Sequence, residues 1–307
     1  MELLKLIQDI RTPFLDAVIG LITRLGEEVV GVAILCILFW CVSKRIAYVI
    51  GIAFFLSSLT VQGMKICFRI ERPWVLDPTF EPVSGAKDYA TGYSFPSGHT
   101  QAAASLFGAL GAQIRQKPLK ALCFLIAILV AFSRMYLGVH TIRDVAASLA
   151  ISFLFVWATL KVFGGDTICK KRELMISLTM ILYAVAVIAV AAVLHSNGTI
   201  EQSYVADCLK AAGAGIGYAV GMYIERVYIN FSVKSKCIVR QAIKFVIGIA
   251  GVIAFQEGLK LLIGTGLVVD MIRYFLMLIW VTVLYPLIIK RFFEVKEVTH
   301  AKTGIQH

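Results

Sequence analysis

Charged residues are scarce in this chain, and polar stretches between its apolar segments are short. Of 307 residues, 16% are charged and 59% are hydrophobic, and the mean hydropathy is +0.83. Soluble domains carry about a quarter charged residues. The composition therefore excludes an ordinary soluble domain and predicts an integral membrane protein whose environment is the lipid bilayer.

Paired cysteines are also missing. None of the seven cysteines forms a C-x-x-C pair, and their spacing fits neither a secreted disulfide scaffold nor a zinc site. They lie in or beside hydrophobic segments, which indicates packing residues. Cys67 alone lies near the candidate site described below.

The chain begins without the pattern of a signal peptide. Residues 1–25 are interrupted by Glu2, Lys5, Asp9, Arg11, Asp16 and Arg24, so no clean apolar core precedes a cleavage site. Apolar residues recur there at helical spacing, which predicts an N-terminal amphipathic helix on the membrane surface. A soluble helical cap would show the same pattern.

Long apolar runs fill the rest of the chain. A bilayer core of about 30 Å needs about 20 apolar residues per helix. Nine segments approach that length, at residues 26–43, 45–67, 97–115, 119–138, 142–163, 174–195, 204–223, 241–263 and 267–289. The sequence therefore predicts an all-α, polytopic transmembrane helix bundle of about nine helices, in which residues 26–43 form the weakest span.

The cations of the chain concentrate in alternate turns. These basic turns are Lys44-Arg45, Arg115 to Lys120, Lys161 to Arg172, Arg226 to Arg240, and Lys290-Arg291. Because cytoplasmic loops are enriched in Lys and Arg, this pattern predicts an extracytoplasmic N-terminus and a cytoplasmic C-terminus. It explains the net charge of +11 without a nucleic-acid partner, since no basic stripe or aromatic platform is present.

Three cations lie on the face where the charge pattern does not expect them. Lys65, Arg72 and Arg134 fall at the predicted extracytoplasmic ends of their segments. Converging cations need an anionic partner, and guanidinium groups match phosphate oxygens well. A phosphate-binding site is therefore the favoured interpretation, and snorkelling of the cations to the interface is the alternative.

Two histidines and a carboxylate lie at the borders of the same apolar segments. Ser97-Gly98 opens an apolar run, which would direct free backbone N–H groups at an anion, although a plain helix cap would look the same. His140 and Asp144 lie four residues apart and would share a helix face, leaving one imidazole nitrogen as a nucleophile. His99 is a candidate general acid.

These residues resemble the three signature motifs of the type 2 phosphatidic acid phosphatase (PAP2) superfamily. The motifs read Lys65-x6-Arg72-Pro73, Pro96-Ser97-Gly98-His99, and Ser133-Arg134-x5-His140-x3-Asp144. The resemblance covers about residues 15–195. It implies a PAP2-like catalytic core over residues 1–195, a three-helix extension over residues 196–290 and a cytoplasmic tail over residues 291–307.

The resemblance also implies a reaction. His140 would attack phosphorus and form a phosphohistidine, Asp144 would orient it, and His99 would protonate the leaving oxygen. Lys65, Arg72, Ser97, Gly98 and Arg134 would bind the phosphoryl oxygens, and no metal or other cofactor is implied. The absence of a carboxylate cluster of the kind that holds catalytic magnesium agrees with that expectation.

The expected function is hydrolysis of a lipid phosphate or pyrophosphate at the extracytoplasmic membrane face. The family resemblance favours a bacterial plasma membrane, and an internal membrane with a lumenal site would show the same charge pattern. A lipid phosphotransferase of the same architecture and a non-catalytic lipid-binding or transport protein remain as alternatives. The pattern specifies neither the lipid nor an oligomeric state. Charged residues at the outer ends of the last three helices either pair among themselves or line a headgroup cavity, and glycines 213, 215, 217 and 221 predict close helix packing.

Overall fold

All regular secondary structure is helical in the part of the chain that the computed structural model describes, namely residues 1–88, 90–163, 168–235 and 237–293. The helices are α1 (Glu2–Asp9), α2 (Pro13–Arg24), α3 (Glu28–Ile37), α4 (Lys44–Phe68), α5 (Pro73–Leu76), α6 (Gly98–Gln113), α7 (Lys117–Tyr136), α8 (Ile142–Val162), α9 (Lys170–Ser196), α10 (Gln202–Ile224), α11 (Ile238–Ile263), α12 (Leu267–Ile279) and α13 (Tyr285–Phe292). Three π-helical turns, Leu38–Val42, Glu225–Ile229 and Trp280–Leu284, extend α3, extend α10 and join α12 to α13. Most of the predicted tail lies outside the described residues.

All nine predicted segments are helical, and the prediction of an all-helical membrane protein is confirmed. The number of spans is not confirmed. Among the described residues, six helical stretches are long and apolar enough to cross a bilayer, and a seventh follows if α2 and α3, bent by 48°, count as one span. Helix α6 has 16 residues and is about 24 Å long, which is shorter than the hydrocarbon core. Nine spans therefore stays a prediction.

The N-terminal segment forms two helices rather than one. Thr12 caps α2, its side chain accepting a hydrogen bond from Leu15 N, and Pro13 occupies the first helical position. Proline cannot continue a preceding helix, so α1 ends before it. Ile7 and Ile19 pack in a cluster with Tyr136 at the end of α7. Part of the apolar face thus contacts protein, and the predicted amphipathic surface helix is not confirmed.

Buried polar side chains join α4 to α6. Ser57 Oγ lies 2.8 Å from Ser105 Oγ, and Gln101 Nε2 donates to Ser57 Oγ at 2.7 Å. All three side chains are buried. Such hydrogen bonds and small residues hold membrane helices together where the hydrophobic effect between them is weak.

Hydrogen bonds from two serines of α8 fix the position of α6 along α8. Ser148 Oγ donates to Ser97 O at 2.8 Å, and Ser152 Oγ donates to Gln101 O at 3.2 Å. Ser97 N in turn donates to Asp144 O at 3.2 Å. The first turn of α6 therefore lies beside the first turn of α8, which brings two of the three motifs together.

Glycines of α10 allow close packing against α12. A Cβ at Gly213, Gly217 or Gly221 would collide with atoms of residues 271–282, whereas Gly215 faces Leu59 of α4. Residues four apart share a helix face, and a residue two positions away lies on the other side. The predicted glycine face thus consists of three glycines rather than four. It allows α12 to pack closely against α10.

Candidate active site

His140 occupies the short turn between α7 and α8. The turn reverses at Gly138, where φ is +76° and a Cβ would lie 2.9 Å from both Arg11 Nη2 and Phe80 Cε1. Glycine is required there by its backbone conformation and by the lack of space. The turn directs His140 inward, and its side chain is only 2% exposed.

Asp144 reaches His140 through a helix cap. Helix α8 begins at Ile142 with Thr141 as its N-cap, and Asp144 at the third helical position forms a capping box with it. Asp144 Oδ2 accepts a hydrogen bond from Thr141 N at 2.7 Å and lies 3.5 Å from His140 Nδ1. The predicted pair is therefore present, but the expected shared helix face is wrong, because His140 precedes the helix.

Ser94 is a member of the site that sequence reasoning missed. Its hydroxyl donates to Asp144 Oδ2 at 2.6 Å and lies 3.5 Å from His140 Nδ1. Ser94 N also donates to Ile70 O at 2.8 Å, which holds this part of the loop beside the end of α4. The only sequence feature that could have identified Ser94 as a site residue was its position in the segment 92–96, which leads into the second motif.

Arg72 connects the long loop to the turn that carries His140. Its Nε donates to Gly92 O at 2.9 Å and its Nη2 donates to Thr91 O at 2.6 Å. Its Nη1 lies 2.9 Å from Val139 O and 3.0 Å from His140 Nε2. The guanidinium is thus held by three carbonyls, and the second N–H of Nη1 faces the imidazole.

These contacts specify the tautomer of His140. A guanidinium can only donate, so Nε2 accepts its hydrogen bond and is unprotonated. The ring proton then resides on Nδ1, which faces Asp144. Burial and the positive charge of Arg72 lower the pKa of His140 well below 6.5, although Asp144 opposes them. A neutral ring with an unprotonated Nε2 is the form that a nucleophile requires.

Arg134 lies in the last turn of α7, directly before the turn that carries His140. Its side chain is 4% exposed, and its Nη1 donates to Thr23 Oγ1 at 2.8 Å. Its carbonyl accepts from His140 N at 3.3 Å. Its Nε has no hydrogen-bond partner among the described residues. A buried cation with unused donors is suited to an anionic ligand.

Lys65 and His99 complete the predicted set. Burial of His99 and the positive charges of Arg134, Lys65 and Arg72 lower the pKa of His99 to about 3. Lys65 and His99 are both partly exposed. A Cβ at Gly26, in the corner between α2 and α3, would lie 2.8 Å from His99 O, so this corner covers the start of α6.

Ser97 caps α6 as the sequence predicts. Its Oγ accepts hydrogen bonds from Thr100 N at 3.5 Å and from Thr100 Oγ1 at 3.0 Å. Gly98 is the first residue of the helix, so its N–H belongs to the unpaired first turn. The positive end of the helix dipole therefore faces the same region as the cations.

The N-terminal helices bind the loop that carries Arg72. Arg11 donates to Tyr136 O at 3.0 Å and to Glu81 O at 2.6 Å. Lys5 forms an ion pair with Asp77 at 2.8 Å, and hydrogen bonds from Lys5 and Thr79 lower the pKa of Asp77 to about 2. These contacts are present at neutral pH and cover one side of the site.

Helix α10 reaches the other side of the loop. Tyr204 stacks on Tyr93 with ring centroids 4.2 Å apart and planes at 9°. Tyr93 follows Thr91 and Gly92, whose carbonyls accept hydrogen bonds from Arg72, and it precedes Ser94. Near the N-terminal ends of α10 and α12, Asp207 pairs with Lys210 at 3.5 Å and Asp270 pairs with Arg273 at 2.8 Å. Pairing among these charged residues is one of the two alternatives that the sequence left open.

Comparison with family models finds two matches along the chain. Residues 45–168 match the PAP2 superfamily, and residues 209–297 match the PAP2 superfamily phosphatase, transmembrane extension. All of the predicted site residues lie within the first match.

Individual proteins match over about half of the chain. Phosphatidylglycerophosphatase B of Bacillus subtilis (strain 168) is 26% identical over 165 residues, which are 47% of this chain and 73% of that protein. The crystal structure of Aquifex aeolicus LpxE shares 27% identity with a TM-score of 0.44, covering 52% of this chain and 93% of that one. The first transmembrane PAP2 type phosphatidylglycerolphosphate phosphatase from Bacillus subtilis shares 24% identity with a TM-score of 0.45, covering 53% and 84%.

Proposed function

Because this chain belongs to the PAP2 superfamily and is a multi-pass membrane phosphatase of that type, we propose that it removes a phosphate from a membrane lipid through a phosphohistidine. The substrate is a lipid phosphomonoester or pyrophosphate. The name of the Bacillus subtilis relative makes phosphatidylglycerol phosphate the first substrate to test. The reaction needs no metal ion.

The observation that carries the proposal is the arrangement around His140 Nε2. This nitrogen is unprotonated, faces the Arg72 guanidinium at 3.0 Å, and belongs to a ring whose other nitrogen faces Asp144. Phosphate oxygens bound by Arg72 would bring phosphorus next to the nucleophile. The lone pair of Nε2, released from Arg72, would then form the N–P bond.

The remaining residues take the other roles of the reaction. The negative charge of the bound phosphate would offset the cations that lower the pKa of His99, so that His99 can hold a proton. As the P–O bond breaks, His99 gives that proton to the leaving oxygen of the lipid. In the second step His99 takes a proton from water, whose oxygen attacks phosphorus and breaks the N–P bond, releasing inorganic phosphate. Lys65, Arg134 and the first-turn N–H groups at Ser97 and Gly98 stabilise the charge on the phosphoryl oxygens.

The proposed membrane side follows from charge. The basic turns would be cytoplasmic, and the catalytic residues lie at the opposite ends of the same helices. The site would therefore act on the outer leaflet, in a bacterial plasma membrane.

The proposal is tested by phosphate release from purified protein in detergent with a chelator present. The panel comprises phosphatidylglycerol phosphate, phosphatidate, undecaprenyl pyrophosphate and a sphingoid phosphate. We expect release from at least one lipid, unaffected by the chelator. Release that stops with the chelator and returns with a divalent metal would refute metal-independent chemistry. Transfer to an added acceptor, without release to water, would favour the phosphotransferase.

Tyr204 tests whether the C-terminal helices support catalysis. The Tyr93–Tyr204 stack holds the loop segment whose carbonyls, those of Thr91 and Gly92, bind Arg72. We therefore expect Tyr204→Ala to lower kcat about tenfold, with a smaller change in KM. Tyr204→Phe keeps the stacked ring and should retain activity.

Tyr228→Ala, which removes an exposed aromatic ring at the other end of α10, is the matched control. Equal activity of Tyr204→Ala and wild type would show that the stack has no positioning role.

A further inference from the structure

Helix α2 contacts Arg134, a candidate phosphate-binding residue, from outside the signature motifs. Thr23 lies in the last turn of α2, and its Oγ1 accepts a hydrogen bond from Arg134 Nη1 at 2.8 Å. The two residues are 111 positions apart, and Thr23 precedes the residues 45–168 that match the family model. A contact to a predicted site residue therefore comes from a helix that none of the three motifs includes.

Packing against α7 fixes the position of Thr23. Asp16, Ile19 and Thr23 follow one another at intervals of three and four residues, so they share one face of α2. Tyr136 Oη donates a hydrogen bond to Asp16 Oδ1 at 2.8 Å, and Ile19 is buried in a cluster with Tyr136. Tyr136 is the last residue of α7, two positions after Arg134. The face of α2 that carries Thr23 therefore packs on the end of α7.

The corner that follows α2 packs against the helices of two site residues. Gly26 N donates to Thr23 O at 3.0 Å as the chain turns from α2 into α3. A Cβ at Gly26 would lie 2.8 Å from both His99 O and Val130 Cγ1. Val130 and Arg134 are four residues apart and share a face of α7. The corner thus limits the movement of Thr23 relative to Arg134.

Thr23 holds Arg134 without neutralising its charge. A threonine hydroxyl accepts a hydrogen bond but carries no charge. Arg226, which is buried to a similar degree, is paired instead with the carboxylate of Glu173 at 3.1 Å. Arg134 forms no ion pair among the described residues, although Glu27 of the same corner attracts it. A phosphate can therefore bind Arg134 without first breaking an ion pair.

The orientation of an arginine decides how well it binds phosphate. A guanidinium binds phosphate oxygens best through a planar fork of two N–H groups, so the direction of its plane matters. A side chain that is ordered only when the ligand binds loses conformational freedom at that step, which weakens binding. Because Thr23 holds Nη1, the guanidinium plane of Arg134 is set before a lipid binds.

We propose that Thr23 is a positioning residue of the active site, whose hydroxyl orients Arg134 for the phosphoryl oxygens of the lipid. The inference rests on the proposed function, which assigns phosphoryl binding to Arg134. Thr23 acts through Arg134, and helix α2 is thereby a part of the phosphate-binding site.

Thr23→Val tests this role because valine has the shape of threonine but lacks the hydroxyl. The unsatisfied Nη1 donor of Arg134 should turn to another acceptor and leave its binding orientation. The phosphoryl oxygens are present both in the bound lipid and in the transition state, so binding of both should weaken. We therefore expect kcat/KM for the preferred lipid of the panel to fall about tenfold, mainly through a higher KM.

Two further variants separate positioning from folding, and thermal unfolding is measured for each protein. Thr23→Ser keeps the hydroxyl and should recover most of kcat/KM. Thr179→Val makes the same substitution on α9, where the hydroxyl donates to Met175 O of its own helix, and should leave KM unchanged. A wild-type KM in Thr23→Val, or equal losses in Thr23→Ser and Thr23→Val, would show that the hydroxyl does not position Arg134.

Calorimetric titration with inorganic phosphate distinguishes failure of this inference from failure of the proposed function. Phosphate is a product of the proposed reaction and presents the same oxygens to Arg134. Thr23→Val should bind it about tenfold more weakly than the wild type does, and Thr23→Ser should bind it nearly as well. A wild type that binds phosphate but hydrolyses no lipid refutes the proposed function alone. Unchanged phosphate affinity in Thr23→Val refutes the positioning role, and a wild type that binds no phosphate refutes both.

Discussion

His140→Ala should abolish phosphate release, with a loss on the order of 10⁴-fold or more, because the variant lacks the nitrogen that attacks phosphorus. Release is measured with the preferred lipid of the panel. In the wild type, the lowered pKa of His140 keeps the ring neutral at and below pH 6.5. Activity should therefore persist as the pH falls past 6.5 and decline only at the lower pH where the ring takes up a proton.

A matched histidine separates chemistry from folding. His195→Ala removes a histidine at the end of α9, whose Nδ1 contacts Ile200 O, and should keep wild-type activity. Rapid quenching with labelled substrate should find an acid-labile phosphoryl group on the wild type and none on His140→Ala. Substantial release by a well-folded His140→Ala protein would rule out the phosphohistidine.

Asp144→Asn should lower kcat by about 10³-fold while the protein stays folded. The asparagine oxygen can still accept hydrogen bonds from Thr141 N and Ser94 Oγ, so the cap of α8 survives. The amide lacks the charge that holds the Nδ1 proton and stabilises the positive ring as the N–P bond forms. Loss of the correct tautomer lowers kcat by about 10⁴-fold in a protease with a histidine–aspartate pair, so a loss of about 10³-fold is a conservative expectation here.

Asp270→Asn is the control for this substitution. Asp270 also lies in the first turn of a helix, but it pairs with Arg273 rather than with a histidine. Both variants are compared with the wild type by kcat, KM and thermal unfolding. A drop in unfolding temperature that accounts for the loss of activity in Asp144→Asn, or wild-type kcat, would show that Asp144 only caps the helix.

Local sequence patterns predicted much of the architecture. Apolar runs between basic turns located every long helix within a few residues, and Ser97 was recognised as the cap of α6. The bend between α2 and α3 and the short α6 were not predicted. The balance between lipid and protein contacts decides how a segment of 15 to 25 residues lies in a membrane, and a hydropathy pattern does not contain that balance.

The site shows the same division. The motifs named His140, Asp144 and Arg72, but not the bonds between them. The hydrogen bond that specifies the His140 tautomer joins residues 68 positions apart, and the Ser94–Asp144 bond joins residues 50 apart. Neither leaves a periodic trace in the sequence.

The sequence by itself determined that this protein crosses a membrane, where its helices lie and which side chains are candidates for phosphate chemistry, because hydropathy, caps and motif spacing are local properties. Only the tertiary structure decided that Ser94 donates to Asp144 and that Tyr204 packs on the loop that holds Arg72. Those relations depend on contacts between distant segments, and packing creates them only after the helices have assembled.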